Sequence, residues 1–341
     1  MANESIGLER RCHRLLLELG LCTGDDPLTV TPLTGGVASD IARVVLPDGR
    51  VVAVKFALEK LKVAESWHVP VHRNRAEYAW LSFVAGLLPD NAPQLHGRSA
   101  HEGGFAMEFL TGDDIRLWKD MLLREEPDRD EAAHVGDLLG RIHAAATAPG
   151  FDATPFDNAD DFHAIRIEPY LLFTASRHPL LAEALTALAE NLHASRVTLI
   201  HGDASPKNIL FRGDTPLLLD AECATMGDPA FDLAFCLNHL ALKALHLPHS
   251  RAQLLAGIGR FRDVYLPHVT WEEPAVIEAR VCALLPALML ARVDGKSPVE
   301  YLDKAEQEAV RHIATPLIRQ PVETLEVLIT ALAAEYEGAG Q

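Results

Sequence analysis

The sequence predicts an α+β fold of two lobes, a small β-rich N-lobe followed by a larger, mainly helical C-lobe. Alternating apolar residues broken by glycine and proline turns run from residue 28 to residue 56, which is the pattern of antiparallel strands. From Ile115 onward, apolar residues recur instead at helical spacing. The short apolar strand in FAMEFLTGDD separates the two regions, so we place the N-lobe at residues 1–110 and the C-lobe at residues 111–341.

The composition is that of a globular protein. The 341 residues are 48% hydrophobic and 23% charged, which is enough for two cores. The net charge of −17 argues against binding to nucleic acid or to an anionic membrane. No long uninterrupted apolar window is present and no apolar run follows a basic N-terminus, so we expect a cytoplasmic protein. The five scattered cysteines lack metal-site spacing and are expected to be free thiols.

The N-lobe elements follow from local patterns. An amphipathic helix, a Gly-Gly turn and a Pro-Asp-Gly hairpin organise its first half, and a helix and a short apolar strand organise its second half. The predicted helices are residues 4–20 and 73–87, and the predicted strands begin at Leu28 and cover residues 41–46, 51–56 and 105–110.

The C-lobe is predicted to be almost entirely helical around one small β hairpin. The leucine run at residues 217–219 forms one strand of that hairpin. Residues 147–180 are predicted to be a loop, because their first half is rich in Pro, Asp and Phe. The predicted helices are residues 131–146, 180–195, 233–247, 250–265, 272–292, 299–313 and 321–336.

Two features of the N-lobe are suited to phosphate groups. The turn carrying Gly35, Gly36 and Ser39 lets backbone N–H groups approach phosphates, although many Gly-Gly hairpins are only turns. Lys55 ends the strand VAVKF, and it either faces solvent or is buried and needs an acidic partner. Glu77 in the next helix is the candidate partner, with a solvated glutamate as the alternative. An ion pair between the two would hold the lysine against the phosphates of ATP.

The acid-rich stretch at residues 199–232 is suited to phosphoryl transfer to a hydroxyl. That reaction needs an acid that orients the attacking alcohol, and oxygen ligands that hold magnesium (Mg²⁺) on the phosphates. Asp203 is the candidate base, Asn208 and Asp220 are candidate metal ligands, and Glu222 is an additional one. Each residue type is common in ordinary loops, but the joint spacing is far more specific.

The pattern HGDxxxxN, an apolar run, DxE and then FD resembles the catalytic core of the aminoglycoside phosphotransferase and choline kinase superfamily. The resemblance implies a bilobal protein-kinase-like fold that uses ATP and Mg²⁺. It implies a hinge at Glu108, Phe109 and Leu110 whose backbone contacts adenine, with a plain edge strand as the alternative. It also implies that His201 and Asp232 support the catalytic loop rather than react.

Within this superfamily the chain resembles 5-methylthioribose kinase. The segments LEKLKVAESWHVPVHRNRAEY, LLPDNAPQLHG and MEFLTGDDIRLWKDML carry the resemblance, which extends from about residue 33 to residue 242. It implies a homodimer, nucleotide contact at Ser39 (an asparagine in that family) and phosphate contact at Lys55. It further implies that Asp203 meets the sugar hydroxyl and that Asp220 and Glu222 hold magnesium.

Two departures from that family leave the acceptor open. Asn208 matches the aminoglycoside and choline kinases instead. The adjacent arginines that help to activate the sugar in methylthioribose kinases are replaced here by Leu285 and Pro286. The segment RVDGK that follows either binds the acceptor or is an exposed helix C-terminus. Its candidate substrate-binding residues are Arg292, Asp294 and Lys296.

We therefore expect an ATP-dependent kinase whose partner is a small-molecule alcohol acceptor, a sugar such as 5-methylthioribose or a related pentose. The acidic charge and Asn208 favour an aminoglycoside or a choline-type amino alcohol as the alternative acceptor. A catalytically inactive binding module should have lost Lys55, Asp203 or Asp220, and all three are present. The DxE motif and the lack of a long activation segment argue against a protein kinase.

Overall fold

A computed structural model describes residues 2–33, 39–57 and 73–338 of the chain. Two compact units make up the molecule, residues 1–113 and residues 114–341. The first contains an antiparallel sheet with two long helices, and the second is mainly helical. The predicted α+β fold class, with a small β-rich part and a larger helical part, is confirmed.

The first unit is built on a five-stranded antiparallel sheet. Its elements in chain order are α1 (Ala2–Glu18), β1 (Thr29–Leu33), β2 (Ser39–Val45), β3 (Val51–Ala57), α2 (Arg73–Leu87), β4 (Leu95–Ser99) and β5 (Gly104–Glu108). The strand order is β1-β2-β3-β5-β4, so β3 lies at the centre of the sheet. Central strands are covered on both faces when helices pack against the sheet. The central position of β3 therefore determines the environment of Lys55, which lies in this strand.

Strand β3 has buried residues on both of its faces. Val54 and Phe56 join a core that helix α1 completes with Leu15 and Leu16. Side chains alternate along a strand, so Lys55 lies on the opposite face, and it is only 2% exposed. The alternative interpretation of Lys55 as a solvent-facing lysine is therefore wrong.

The second unit combines long helices with short strands. Its strands are β6 (Ile115–Leu117), β7 (Thr198–Ile200), β8 (Ile209–Arg212), β9 (Thr215–Leu218) and β10 (Thr225–Gly227). Its helices are α3 (Trp118–Leu123), α4 (Glu131–Ala146), α5 (Ala159–Phe162), α6 (Phe173–Arg177), α7 (Ala182–Ala194), α8 (Pro229–His246), α9 (Arg251–Tyr265), α10 (Pro274–Asp294), α11 (Lys304–Arg319) and α12 (Leu325–Gly338).

Helices α8 and α10 form the centre of the second unit. Almost every residue of α8 is buried, and α10 is buried from Val281 to Asp294 apart from one partly exposed residue. In the described part of the chain, α10 is the helix whose length and mean hydropathy of 1.7 would suit a membrane span. However, 67% of that apolar window is buried inside the protein, as in the core helix of a globular unit. The five cysteines are free and buried.

The β structure of the second unit is more extensive than the single hairpin predicted from the sequence. Strands β8 and β9 form that hairpin, but β6 adds to it to make a three-stranded sheet. A separate ribbon pairs β7 with β10. Strands of three residues are too short to show alternation in a sequence, which explains why they were missed. The ribbon matters because the acid-rich stretch begins directly after β7.

The region predicted as a loop at residues 147–180 is largely helical, which corrects the sequence-based prediction. Between α5 and α6, the stretch His163–Leu172 has π-helical hydrogen bonding. Pro169 lies inside this stretch and removes one backbone donor, which made the segment resemble a loop. π-Helical turns are rare and frequently occur at functional sites.

Candidate active site

The turn after strand β7 carries the candidate base and depends on a glycine. Gly202 has a φ of +75°, in the left-handed region that glycine adopts without strain. A Cβ at this position would lie 2.7 Å from the carbonyl oxygen of Cys223, so the close approach of the two chain segments also requires glycine. This geometry places Asp203 at the end of a tight turn, where its side chain is buried and only 2% of the residue is exposed.

Asp232 anchors that turn from the first part of helix α8. Its carboxylate accepts hydrogen bonds from the backbone N–H of His201 at 2.6 Å and of Gly202 at 2.9 Å. The imidazole Nε2 of His143 lies 3.3 Å from the same carboxylate. Asp232 and His143 are fully buried, so the turn is held by charged and polar groups that water does not reach.

The ring of His201 fixes the backbone on either side of the turn. Its Nδ1 accepts the backbone N–H of Asp203 at 3.2 Å, which leaves Nε2 to donate to the carbonyl oxygen of Leu219 at 3.1 Å. Burial lowers the pKa of His201 and outweighs the nearby carboxylates, so the ring is neutral at neutral pH. Neutral His201 therefore connects the turn to the segment that precedes Asp220.

Two cations contact the carboxylate of Asp203. Nη2 of Arg166 lies 2.7 Å and Nζ of Lys207 lies 3.0 Å from its Oδ2. Burial by itself would raise the pKa of Asp203, but the positive charges of Arg166 and Lys207 outweigh it and hold that pKa below its ordinary value. Asp203 is therefore ionised at neutral pH and can accept a hydrogen bond from an alcohol.

Arg166 and Lys207 were not predicted from the sequence as site residues. Arg166 lies in the π-helical stretch, where its Nε also donates to the carbonyl oxygen of Gly202 at 2.8 Å. No local motif marks it, because its segment was predicted to be a loop. Lys207 had a usable signal, since it lies four residues after Asp203 within HGDASPKN. A cation at that spacing in a turn can fold back onto the carboxylate.

Arg166→Gln is expected to move the acid limb of the pH–rate profile to higher pH. The variant removes a charge that lowers the pKa of Asp203, so the carboxylate becomes protonated at a higher pH than in the wild type. The limb should be read from kcat/KM, which reports the free enzyme. Arg196→Gln changes an exposed arginine of the same unit and is the matched control. It should leave the acid limb at the same pH as in the wild type. An unchanged limb in Arg166→Gln would contradict the assignment.

Asn208 and Asp220 are brought together by the β8–β9 hairpin. The backbone N–H of Leu219 donates to the carbonyl oxygen of Asn208 at 2.9 Å, which places residue 220 beside it. Nδ2 of Asn208 donates to the carbonyl oxygen of Asp203 at 3.0 Å, so its amide oxygen faces away from that bond. Asp220 has a φ of +66°, a left-handed conformation that costs a non-glycine residue about 1–3 kcal/mol.

These residues fit a magnesium ion bound partly by nucleotide. The described residues contain no group of three or more His, Cys, Asp or Glu that could hold a metal alone. Mg²⁺ in phosphoryl-transfer sites instead uses one or two protein carboxylates together with substrate phosphates. Asn208 and Asp220, which the hairpin brings close along the backbone, would provide such a partial set. Glu222 is buried two residues further on and remains a candidate for an additional ligand.

The first unit holds a buried ion pair. Nζ of Lys55 in β3 lies 2.7 Å from Oε1 of Glu77 in α2, and both side chains are 3% exposed. Nδ2 of Asn74, one turn before Glu77, lies 3.5 Å from the carbonyl oxygen of Lys55. The pair fixes the lysine in one orientation, which is what a phosphate-binding lysine requires.

The other predicted nucleotide-binding residues of the first unit are only partly described. Gly35 and Gly36 lie outside the described residues, whereas Ser39 begins strand β2 and is 4% exposed. Glu108 ends strand β5, and its backbone N–H donates to the carbonyl oxygen of Gln94 at 2.7 Å. That amide is therefore already used by the sheet. The backbone groups that remain as adenine-binding candidates are the carbonyl of Glu108 and the groups of Phe109 and Leu110, which follow the strand.

Of the three candidate acceptor residues at the C-terminal end of helix α10, two are engaged in ion pairs. Asp294 contacts Nε and Nη2 of Arg311, each at 2.9 Å, and Nε2 of His178 at 2.8 Å. Nζ of Lys296 contacts Glu168 at 2.8 Å. The exposed helix C-terminus considered as an alternative does not describe Asp294, which is 5% exposed.

Arg292 differs from Asp294 and Lys296, because it lines a cavity that Lys207 also lines. Its Nη1 donates to the hydroxyl of Tyr170 at 3.1 Å and to Oγ of Ser297 at 3.0 Å. Both of these partners are neutral. Of the three candidates, Arg292 is therefore the one that shares a cavity with Lys207, which in turn contacts Asp203.

Comparison with known proteins points in the same direction as the geometry. The sequence profile of the phosphotransferase enzyme family matches residues 29–268. A homoserine kinase from Beijerinckia indica is 30% identical over 266 residues, covering 69% of this chain and 79% of the relative. A methylthioribose kinase from Bacillus velezensis is 24% identical over 268 residues, covering 70% and 66%.

A likeness of fold is found among solved structures. An amicoumacin kinase solved with AMP-PNP and Ca²⁺ superposes with a TM-score of 0.55 at 12% sequence identity, and the match covers 88% of this chain and 91% of the other. At this identity the likeness concerns the fold alone.

Proposed function

The chain belongs to the phosphotransferase enzyme family, as its motifs predicted, and we propose that it transfers the γ-phosphoryl group of ATP to a hydroxyl of a small polar molecule. The observation that carries the proposal is the carboxylate of Asp203. It is buried, ionised and fixed by Arg166 and Lys207 on a turn that Asp232 anchors. A carboxylate in that state can orient one alcohol and accept its proton.

The acceptor hydroxyl takes its orientation from Asp203 in this proposal. The hydroxyl donates a hydrogen bond to the carboxylate, which fixes the direction of attack and receives the proton as the bond to phosphorus forms. A low pKa suits this role, because the loose transition state of phosphoryl transfer demands positioning more than a strong base. Arg166 and Lys207 keep the carboxylate of Asp203 charged before the alcohol binds.

Each unit carries its own candidates for binding a nucleotide or its metal ion. Lys55, oriented by Glu77, contacts the phosphates, and the backbone of Phe109 and Leu110 contacts adenine. Asn208 and Asp220 would hold magnesium, with Glu222 as an additional candidate. Bound Mg²⁺ neutralises charge on the phosphates of the nucleotide. The amicoumacin kinase with AMP-PNP and Ca²⁺ supports a nucleotide and a divalent ion for this fold.

Two acceptor classes follow from the relatives and from the motifs. A pentose such as 5-methylthioribose was expected from the sequence, and one relative is named a methylthioribose kinase. A hydroxy amino acid is the second class, because the relative named a homoserine kinase is 30% identical. Leu285 and Pro286 are buried inside α10 where a methylthioribose kinase would have its arginines, which favours the second class.

A phosphorylation screen with the wild-type protein tests this proposal. We expect ATP- and Mg²⁺-dependent formation of a phosphorylated product from at least one of methylthioribose, L-homoserine, choline and an aminoglycoside, measured by mass spectrometry. Stimulation of ATP turnover by the same compound should accompany it, at a kcat on the order of 1–100 s⁻¹. Nucleotide binding without any product, across a panel widened to pentoses and amino alcohols, would contradict the proposal.

A further inference from the structure

A small cavity in the second unit is lined by more basic than acidic side chains. It has a volume of about 60 Å³. A single water needs roughly 10–15 Å³ of such space, so the cavity can take a group of several heavy atoms. The residues that line it are Lys119, Pro206, Lys207, His239, Lys243, Arg292, Val299, Glu300 and Tyr301. Four of them are lysine or arginine and one is acidic, in a chain whose net charge is −17.

The positive charge of this cavity is only partly compensated. Lys119 pairs with Glu300, and Lys207 pairs with Asp203. Arg292 is hydrogen-bonded to neutral groups, and Nζ of Lys243 lies over the ring of Tyr301 at 4.9 Å from its centroid. No carboxylate of the described residues forms an ion pair with Lys243 or Arg292. These two cations are 1% and 8% exposed, so water does not compensate them either.

Three residues that line the cavity each have a buried polar atom without a hydrogen-bond partner among the described residues. These atoms are Nε2 of His239, Nε of Arg292 and the hydroxyl of Tyr301. His239 is 6% exposed. Buried donors without partners are rare in folded proteins, and an unsatisfied one costs about 1–3 kcal/mol. Three such atoms among the residues around one cavity, together with Lys243 and Arg292 that have no carboxylate partner, show that the polar groups of this region are incompletely satisfied by the protein.

We infer that this cavity binds an anionic group, a carboxylate or a phosphate, of the molecule that the enzyme phosphorylates. The inference rests on the proposed function, because it assumes that the acceptor hydroxyl meets Asp203. Lys207 connects the two places, since it lines the cavity and contacts Asp203 at 3.0 Å. An acceptor whose anionic group occupies the cavity can therefore present a hydroxyl a few bonds away to the catalytic carboxylate.

An anion bound in the cavity also explains why the buried Lys243 is tolerated beside it. Burial, together with the charges of Lys119 and Arg292, lowers the pKa of Lys243 to about 7. Glu300 opposes this shift, and His239, whose own pKa is lowered well below its usual range by burial, adds no positive charge. A bound carboxylate or phosphate would restore the charge of Lys243 and pair with it. Neutral sugars and cationic amino alcohols supply no such partner.

Binding of simple anions to the protein without nucleotide or magnesium tests the site itself. We expect inorganic phosphate and acetate, at constant ionic strength, to raise the Tm of the wild type. Lys243→Met and Arg292→Gln should lose this rise. Lys243→Met removes the charge without removing a hydrogen bond, so it should fold even if Arg292→Gln does not. Lys304→Gln on the exposed start of α11 and Lys55→Met in the first unit should both keep the rise.

The outcomes of this binding experiment separate the possible sources of the anion. A rise with both anions supports a carboxylate-type acceptor, and a rise with phosphate alone supports a phosphorylated acceptor. Absence of any rise in the wild type, or its full retention in Lys243→Met, overturns the inference. Loss of the rise in Lys55→Met but not in Lys243→Met also overturns it, because the anion would then occupy a nucleotide phosphate position.

Matched pairs of acceptors connect the cavity to turnover. L-Homoserine should be phosphorylated at least about tenfold better in kcat/KM than its amide, or glycerate and glycerol 3-phosphate better than glycerol. Lys243→Met should raise KM for the anionic member at least about tenfold and change that of the neutral member less than about twofold. Equal use of both members overturns the inference and leaves the proposed function standing. Anion binding without any phosphorylated product contradicts the proposed function and leaves the site standing.

Discussion

Asp203→Asn is expected to lower kcat by about 10³-fold, within the range of 10²–10⁴ that a positioned acid or base contributes. The amide has the same shape as the carboxylate, but it carries no charge and its oxygen accepts a proton poorly. It also leaves Arg166 and Lys207 without the anion that they contact at 2.7 and 3.0 Å. The measurement is steady-state kinetics with an acceptor from the phosphorylation screen, with nucleotide affinity determined separately by calorimetry.

The control for this variant separates chemistry from folding. Asp263→Asn changes an exposed aspartate of helix α9 and should keep kcat within about twofold of the wild type. ATP affinity of Asp203→Asn should stay within about threefold of the wild type, because the nucleotide contacts are assigned to other residues. Turnover of Asp203→Asn within about fivefold of the wild type would refute the role of Asp203.

The parts of the site that the sequence predicted are those that lie in short local motifs. Asp203, Asn208 and Asp220 fall within 18 residues, and one turn and one hairpin bring them together. Lys55 and Glu77 lie 22 positions apart, but a lysine in an apolar strand requires an acid, and the following helix offers one. In each case the local chemistry limits the possible partners to a few.

The residues that escaped prediction come together only through tertiary packing. Arg166 comes from a π-helical stretch, and His239 and Lys243 come from α8. His239 and Lys243 line the same cavity as Arg292 of α10, which was predicted as an acceptor candidate. In the sequence His239 and Lys243 are ordinary members of an apolar helix, four positions apart on one face. Nothing in their own segment indicates that an arginine from another helix faces the same cavity. In the proposed site, acceptor recognition depends on the convergence of separate helices, which local motifs do not reveal.

The assigned catalytic residues and the proposed acceptor-binding residues lie in different parts of the chain. We assign the phosphoryl-transfer chemistry to the acid-rich stretch, and we propose that the cavity residues of α8 and α10 select the acceptor. The overall charge of −17 favoured a cationic acceptor when only the composition was considered. The proposed anionic ligand of the cavity is the opposite prediction. It rests on charges within a few ångströms of the ligand, whereas exposed charges further away are screened by salt.

Asp232→Ala is expected to lower the free energy of unfolding by roughly 3–5 kcal/mol, the largest stability effect of any single change considered for this site. Alanine leaves the buried backbone N–H groups of His201 and Gly202 without an acceptor and removes the partner of His143. Urea denaturation measures the change. Asp232→Asn keeps one acceptor oxygen and should be less destabilised, and Asp263→Ala on the surface should change by less than about 0.5 kcal/mol. A loss below about 1 kcal/mol for Asp232→Ala would show that the turn is held by other contacts, because each orphaned buried donor alone costs about that much.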